Sequence, residues 1–455
     1  MKQFYYLIVF LVITGLSGCA PMQTGTRSQS APKNIIVMVG DGMGVGQIEI
    51  ARLMEKGKEG RLFLQSLPNV GLIQTYSYDN FVPDSGAAAT SLATGIKTVN
   101  KRVGTTHDGK PVESIADLFK QNGKAVGLIS TNTVTDATPA GYGSSAKSRS
   151  NQAEIARQLL ANEYDILLGG GGKYFGAKKQ KGPDLVPLFK GKGYSHVTNK
   201  SELAKAAGSE RILGLFHKSY MNYNLDKEER NSNEPSLLEM TKAAIVSLSK
   251  NKNGFFLMSE GARIDHAAHA ADATGIWKET IEFDKAVKYV VNWAKKNGNT
   301  LVVVVADHET MSIGAAEPMN IKALKAIEVS PEYMASKLVK NQAKTAFTIA
   351  SIKSVFKKYA NMDVSTEDAR LLNKRSMGKK GKLDYDYKIG WEIGSMIANH
   401  YGVASMASSI RAKSKTGGHT GNMVPIFAYG SGAETFEGVM DNTDVFFKLK
   451  ALSGY

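Results

Sequence analysis

The stretch NIIVMVG, residues 34–40, decides the fold. After Asn34 it is apolar throughout, with no alternation between polar and apolar positions. A strand with one wet face alternates, so an unbroken apolar run calls for a strand covered on both faces, as in a parallel sheet. The pattern returns in KAVGLIS (124–130), YDILLGG (164–170), GFFLMS (254–259) and TLVVVVA (300–306). Helical periodicities lie between them, such as SIADLFKQNG (114–123) and KETIEFDKAVKYVVNWAKKNG (278–298), the second closed by a glycine stop. Strand alternating with helix predicts an α/β fold: a central, mostly parallel β-sheet flanked by helices on both faces. Ligands of such sheets gather at the carboxyl ends of the strands.

Residues 312–415 break the rhythm. They are Lys-rich and largely helical, with helix starts at SPE (330–332) and STED (365–368), and close in a Ser/Lys/Gly-rich loop. This segment reads as a helical insertion carried on the sheet, which resumes at MVPIFAYG (423–430) and ends in a C-terminal helix. The glycines of LLGGGGKYF (167–175) lack the spacing of a phosphate-binding P-loop and read as a turn after a strand.

The first residues carry an address. Lys2 and the apolar run FYYLIVFLVITGL (4–16) suit a signal sequence and are too short for a convincing membrane span. LSGC (16–19) resembles the lipobox of bacterial lipoproteins, in which the cysteine becomes the acylated N-terminus. The organisation expected is therefore a signal peptide at 1–18, a tether at 19–33 and one domain at 34–455. Cys19 would anchor the chain by lipid to the membrane of a bacterial cell envelope, and Ala20 favours the outer membrane, facing the periplasm or the cell surface. Cys19 is the only cysteine, so the mature chain forms no internal disulfide. The net charge of +15 comes with no basic stretch interleaved with aromatics, so no nucleic-acid partner is expected.

The chemistry sits where the strands end. Asp41 follows NIIVMVG in GDGMG; Glu260 follows GFFLMS and leads into GARIDHAAH, with Asp265, His266 and His269; Asp307 and His308 follow TLVVVVA; His419 lies in TGGHTG. Asp265 and His269 are one helical turn apart and can face one metal. Carboxylates and imidazoles arriving at one sheet edge from separate segments point to a metal centre. After KAVGLIS, Thr138 offers a hydroxyl suited to a hard cation and Arg149 a planar fork suited to two phosphate oxygens. VPDSGAAATSLATG (82–95) places Ser85 at a helix start, as an N-cap on a tightly packed helix or as a group facing an anion.

Taken together, GDGMG, PDSGAAAT, TDATPA with an arginine eleven residues after its Thr, EGARIDHAAH, ADHET and GGHTG resemble the alkaline phosphatase family. The resemblance covers most of 34–310 and returns at about 416–450, leaving the insertion uncovered. It implies hydrolysis of phosphate monoesters through a phosphoserine on Ser85, with two zinc ions and one magnesium ion as cofactors. One zinc would take Asp265, His269 and His419; the other Asp41, Asp307 and His308, with Ser85 as its reacting ligand. The magnesium would share Asp41 and add Thr138 and Glu260. Arg149 would clamp the phosphate, Asp84 would orient, and Asp136 and His266 would stand behind the ligands. Relatives acting on diesters or sulfates change the nucleophile, the arginine or the magnesium set; Ser85, Arg149, Thr138 and Glu260 together favour monoesters. Insertions after the ADH motif often build a dimer interface or cover the site in this family, which makes a homodimer one expected use of 312–415.

Overall fold

The computed structural model describes residues 31–378 and 381–455. The signal peptide, Cys19 and all but the last residues of the tether lie outside the described residues. Among the described residues there are twelve strands: β1 (Asn34–Gly40), β2 (Asn69–Gln74), β3 (Ala125–Thr133), β4 (Ile166–Gly170), β5 (Ser195–Val197), β6 (Ile212–Leu215), β7 (Phe255–Gly261), β8 (Thr300–Val305), β9 (Glu309–Thr310), β10 (His419–Thr420), β11 (Val424–Gly430) and β12 (Gly438–Asp441). Ten form one sheet in the order β12-β2-β11-β8-β1-β7-β3-β4-β6-β5, and β9 pairs with β10 in a separate ribbon. Only β11 runs against its neighbours, β8 and β2; the other pairs of the large sheet are parallel.

The central strands are buried from end to end, as their continuous apolar runs require. Adjacent residues of β7 show the two covered faces. Phe256 meets Phe119 and Tyr142 of the helices Ile115–Gln121 and Ala137–Gly143, while Phe255 meets Trp293 of the helix Ala273–Asn297. Successive strand residues point to opposite faces, so helices cover both.

β2, β5, β6 and β12 lie outside the strand runs of the sequence analysis. β2 alternates buried and exposed residues, and β5 is a three-residue edge strand. The turn after β4 passes through Gly171 at φ +95°, a left-handed conformation that favours glycine.

The described residues of 312–415 are mainly helical, including Pro331–Ser336, Ile349–Ala360, Thr366–Arg375 and Asp386–His400. Ser330 and Ser365 cap two of these helices through their side chains. A second hydrophobic core forms here: Met334, Phe356, Leu372 and Ile393 join Ala267, Ile276 and Trp277 from the helices behind β7. The insertion therefore rests directly on the helix Arg263–His269 that leads away from the sheet edge.

Candidate active site

Four adjacent strands, β8-β1-β7-β3, end at the same edge. Asp41 follows β1, Glu260 is the penultimate residue of β7, and Asp307 and His308 follow β8. The helix after β7 carries Asp265 and His269; the helix after β3 carries Thr138. His419 arrives last, on β10, and pairing of β10 with β9 sets it across from Thr310, two residues beyond His308. The rings of His308 and His419 consequently stack, with centroids 3.6 Å apart.

Potential ligand atoms of Asp41, Asp307 and His308 lie within 4.8 Å of one another, and so do those of Asp265, His308 and His419. His269 joins the second group: its Nε2 is 3.1 Å from Asp265 Oδ2 and 3.2 Å from His419 Nε2. His308 stands at the junction of the two. Each of the three histidines has a partner at its far nitrogen, that of His308 being Thr310 Oγ1 at 3.4 Å. Nδ1 of His269 is 2.9 Å from the Gly417 carbonyl, and that of His419 is 3.0 Å from the Pro83 carbonyl. Nδ1–H donation to a carbonyl fixes the tautomer that leaves Nε2 as a lone-pair donor.

The donor set fits metal ions. Asp41 Oδ1, Asp307 Oδ2, Thr138 Oγ1 and Glu260 Oε2 are buried and make no hydrogen bond. Orphaned buried oxygens of this kind are costly, and a cation removes that cost. Burial and the neighbouring carboxylates, Asp307 first, raise Asp41 well above the usual carboxylate range. Burial pushes Glu260 up to about 8 and Asp307 up to about 7. Burial also opposes ionisation of Asp265, but His269, His419 and His308 hold it well below its usual value. Burial lowers His308 to about 4 and drives His419 well down, leaving neutral imidazoles able to ligate.

Ser85 differs from its expected place by one residue. Asp84 is the N-cap of the helix Ser85–Thr94: its backbone is extended, and its Oδ1 accepts from the Ala87 N–H at 3.0 Å. Ser85 is thus the first helical residue, and its hydroxyl is not used in capping. Its Oγ lies 3.2 Å from His308 Nε2. Asp84 also accepts from the Lys101 N–H at 3.0 Å, and its Oδ2 receives Arg149 Nη1 at 3.2 Å. The other arm of Arg149 reaches Asp136 Oδ1 at 3.4 Å. Burial works against ionisation of Asp84, but Arg149 and the two backbone donors hold its carboxyl low. The arginine fork is therefore steadied by two carboxylates beside Ser85. His266 stands further out, with Nδ1 2.5 Å from Arg263 Nη1; burial and that guanidinium bring its ring down to about 3.

The run of small residues behind Ser85 has a packing cause. Every residue of Ser85–Thr94 is buried, and Ala89 lies against Gly141 of the helix that carries Thr138. A Cβ at Gly141 would stand 2.9 Å from Ala89 Cβ, so the absence of side-chain bulk sets the spacing between the two helices.

Ser85, Asp84, Asp136, Arg149, Asp265, His266, His269 and His419 line a cavity of about 730 Å³ that also takes in Tyr220, Arg263, Glu332, Tyr387 and Trp391. None of the five was singled out in the sequence. Arg263 sits inside the EGARIDHAAH motif, and its buried guanidinium pairs with Glu332 at 3.3 Å and stacks on Tyr223 at 3.5 Å. Tyr387 and Trp391, four apart on one helix, were the signal available within the insertion.

The alkaline phosphatase family profile matches residues 32–455. Alkaline phosphatase 4 of Bacillus subtilis (strain 168) is 35% identical over 467 residues, 97% of this chain and 95% of that protein. Alkaline phosphatase 3 of the same organism is 36% identical over 450 residues, 92% of this chain and 88% of the relative. The crystal structure of Thermus thermophilus alkaline phosphatase matches with a TM-score of 0.82 at 28% identity, covering 98% of this chain and 96% of that one. On sequence across almost its whole length, and on fold, this chain belongs to the alkaline phosphatase family, metal-dependent enzymes that hydrolyse phosphate monoesters.

Proposed function

We propose that the chain hydrolyses phosphate monoesters through a phosphoserine on Ser85, with two zinc ions and one magnesium ion bound. The observation that carries this reading is the placement of Ser85 Oγ 3.2 Å from His308 Nε2, next to an Arg149 fork held by Asp84 and Asp136. The mixed nitrogen and oxygen set of Asp265, His269 and His419 suits one zinc, and that of Asp41, Asp307 and His308 suits the other. Asp41, Thr138 and Glu260 offer the all-oxygen set that suits magnesium. Bound there, the ions supply Lewis acidity that favours the ionised form of a hydroxyl or water and balances charge on a departing oxygen.

Ser85 Oγ attacks phosphorus in line, forming the Oγ–P bond as the ester P–O bond breaks. The alcohol departs on the side of Asp265, His269 and His419, where Asp265 is already held ionised by its histidines. Arg149 donates to two phosphoryl oxygens, and the N–H groups of Ser85 and Gly86 at the helix start favour the same negative charge. Water then attacks phosphorus from the side the alcohol vacated, the Oγ–P bond breaks with Ser85 keeping its oxygen, and inorganic phosphate carrying the water oxygen is released. Ser85→Ala should abolish turnover of an aryl phosphate while bound zinc, measured by atomic emission, stays near the unmutated level. Turnover retained in that variant would overturn the nucleophile assignment.

We also propose that LSGC directs acylation of Cys19, which holds the enzyme on the outer membrane of a bacterial envelope. Cys19→Ser should move activity from the membrane fraction to the soluble fraction; activity that stays in the membrane fraction would refute the anchor.

A further inference from the structure

A phosphoryl group fills only part of a 730 Å³ cavity, a size within the range that holds whole drug-like ligands. The insertion supplies one part of the remaining wall, including Glu332, Tyr387, Trp391 and Lys415, and this part carries two aromatic rings. Trp391, on the helix Asp386–His400, lies over the ring of His269 with centroids 4.8 Å apart and planes 23° from parallel. Tyr387, one turn earlier, meets Trp391 edge-on at 5.7 Å. Both rings are half-buried, so each keeps surface open to the cavity. Across from them Tyr220 donates to Glu332 at 3.0 Å, an insertion residue that also pairs with Arg263.

This wall is not loosely hung. Arg411, buried, donates to the carbonyls of His269 at 3.0 Å and Trp391 at 3.2 Å and to Ser395 Oγ at 3.0 Å. Gly417, at φ +85°, passes so close that a Cβ would stand 3.1 Å from both His269 Cε1 and the Trp391 ring. The indole is thus fixed beside the imidazole on the side where the alcohol departs.

We propose that Trp391 and Tyr387 form a stacking subsite for the leaving group, so that the enzyme favours monoesters whose alcohol carries a planar aromatic ring. The proposal rests on the phosphomonoesterase reading above and names its substrate class. Flat rings gain from offset or edge-on contact with such side chains, and an alkyl alcohol of similar size gains less.

The test compares kcat/KM for p-nitrophenyl phosphate, adenosine monophosphate and glycerol phosphate in the unmutated enzyme, Trp391→Phe, Trp391→Ala and Tyr387→Ala. Because Trp391 also props His269, any loss shared by all three substrates reports that prop; the subsite is read from the ratio of aromatic to glycerol ester. Trp391→Ala should lower that ratio about tenfold, and Trp391→Phe should restore most of it. Tyr387, which makes no ring contact with His269, supplies a second variant, and its ratio should fall about threefold. A fall for the nucleotide alone supports a nucleoside as the aromatic alcohol, and a fall for the nitrophenyl ester alone supports a small aryl group. Equal losses on all three esters, or ratios that do not move, would overturn the subsite. An unmutated enzyme that turns over none of the three would instead sink the phosphomonoesterase reading.

Discussion

Replacing Gly141 by alanine tests whether the small residues around Ser85 set catalytic geometry. The new Cβ would stand 2.9 Å from Ala89 Cβ and 3.1 Å from both Ala89 C and Thr90 N. Ordinary contact begins near 3.4 Å, so the helices Ser85–Thr94 and Ala137–Gly143 must part by about half an ångström. Two of the three obstructing atoms are backbone, so a side-chain rotation cannot relieve the clash. Alanine is the better helix former by about 1 kcal/mol, but overpacking a dense core costs about 1–3 kcal/mol. The balance is a loss of up to about 2 kcal/mol, or a few degrees in melting temperature. Catalysis should suffer more than stability. Ala89 is one turn from Ser85 and Gly141 one turn from Thr138, so the shift separates the proposed nucleophile from a proposed metal ligand. A 1 Å misplacement can cost roughly a hundredfold in rate, so half that distance should cost about tenfold in kcat/KM. The assay is kcat/KM on an aryl phosphate beside a thermal melt, with Ala89→Gly added to return part of the space. Unmutated kcat/KM in the single variant would refute the reasoning, as would a double variant no better than the single one.

Other outcomes follow from the same geometry. Stripping metal with a chelator should abolish activity, and zinc plus magnesium should restore it; full recovery with magnesium alone would exclude zinc at the histidine-bearing groups. In the stripped protein Glu260 near 8 and Asp307 near 7 lie above their unfolded values, so the folded state holds protons that the unfolded chain releases. Above about pH 6.5 the buried histidines are neutral in the folded and the unfolded chain alike, so stability should fall as pH rises from there through 8, and the stabilisation conferred by metal, read by thermal melts, should grow over that window. Arg149→Lys cannot span Asp84 and Asp136 with a planar fork, so the inhibition constant for inorganic phosphate should rise about tenfold. Asp84→Asn keeps an acceptor for the Ala87 and Lys101 N–H groups, whereas Asp84→Ala loses it, so only the alanine variant should lose about 1–2 kcal/mol in melts.

The centre of the sheet was legible because burial on both faces leaves one physical signature, the unbroken apolar runs of β1, β3, β7 and β8. β2 keeps one side wet and reads NVGLIQ, while β5 is too short to carry a period. The candidate metal residues Asp41, Glu260, Asp307 and His308 were legible because each stands just beyond such a run. Their grouping was not, since the ribbon of β9 and β10 joins positions 309–310 to 419–420 across the insertion. Asp84 and Ser85 both have side chains able to cap a helix, so only the backbone distinguishes which one does. Trp391 and Tyr387 were hidden for another reason: an aromatic on a helix reads as core, and no local pattern tells which cavity it borders.

The two ends of the insertion meet at that same ribbon. Thr310 pairs with His419, the Met311 N–H donates to the Gly418 carbonyl at 2.7 Å, and the Met311 carbonyl accepts from the Met406 N–H at 2.7 Å. Roughly a hundred residues thus leave and return through a socket whose two contacts are a few ångströms apart, and the phosphate chemistry sits on the sheet side of it. Such a plug can lengthen, shrink or be exchanged while His308 and His419 keep their separation. Exchanging the segment between Met311 and Gly418 with that of a relative should therefore transplant the preference for one alcohol over another, provided the residues that hold His269, namely Trp391, Arg411 and Gly417, are kept.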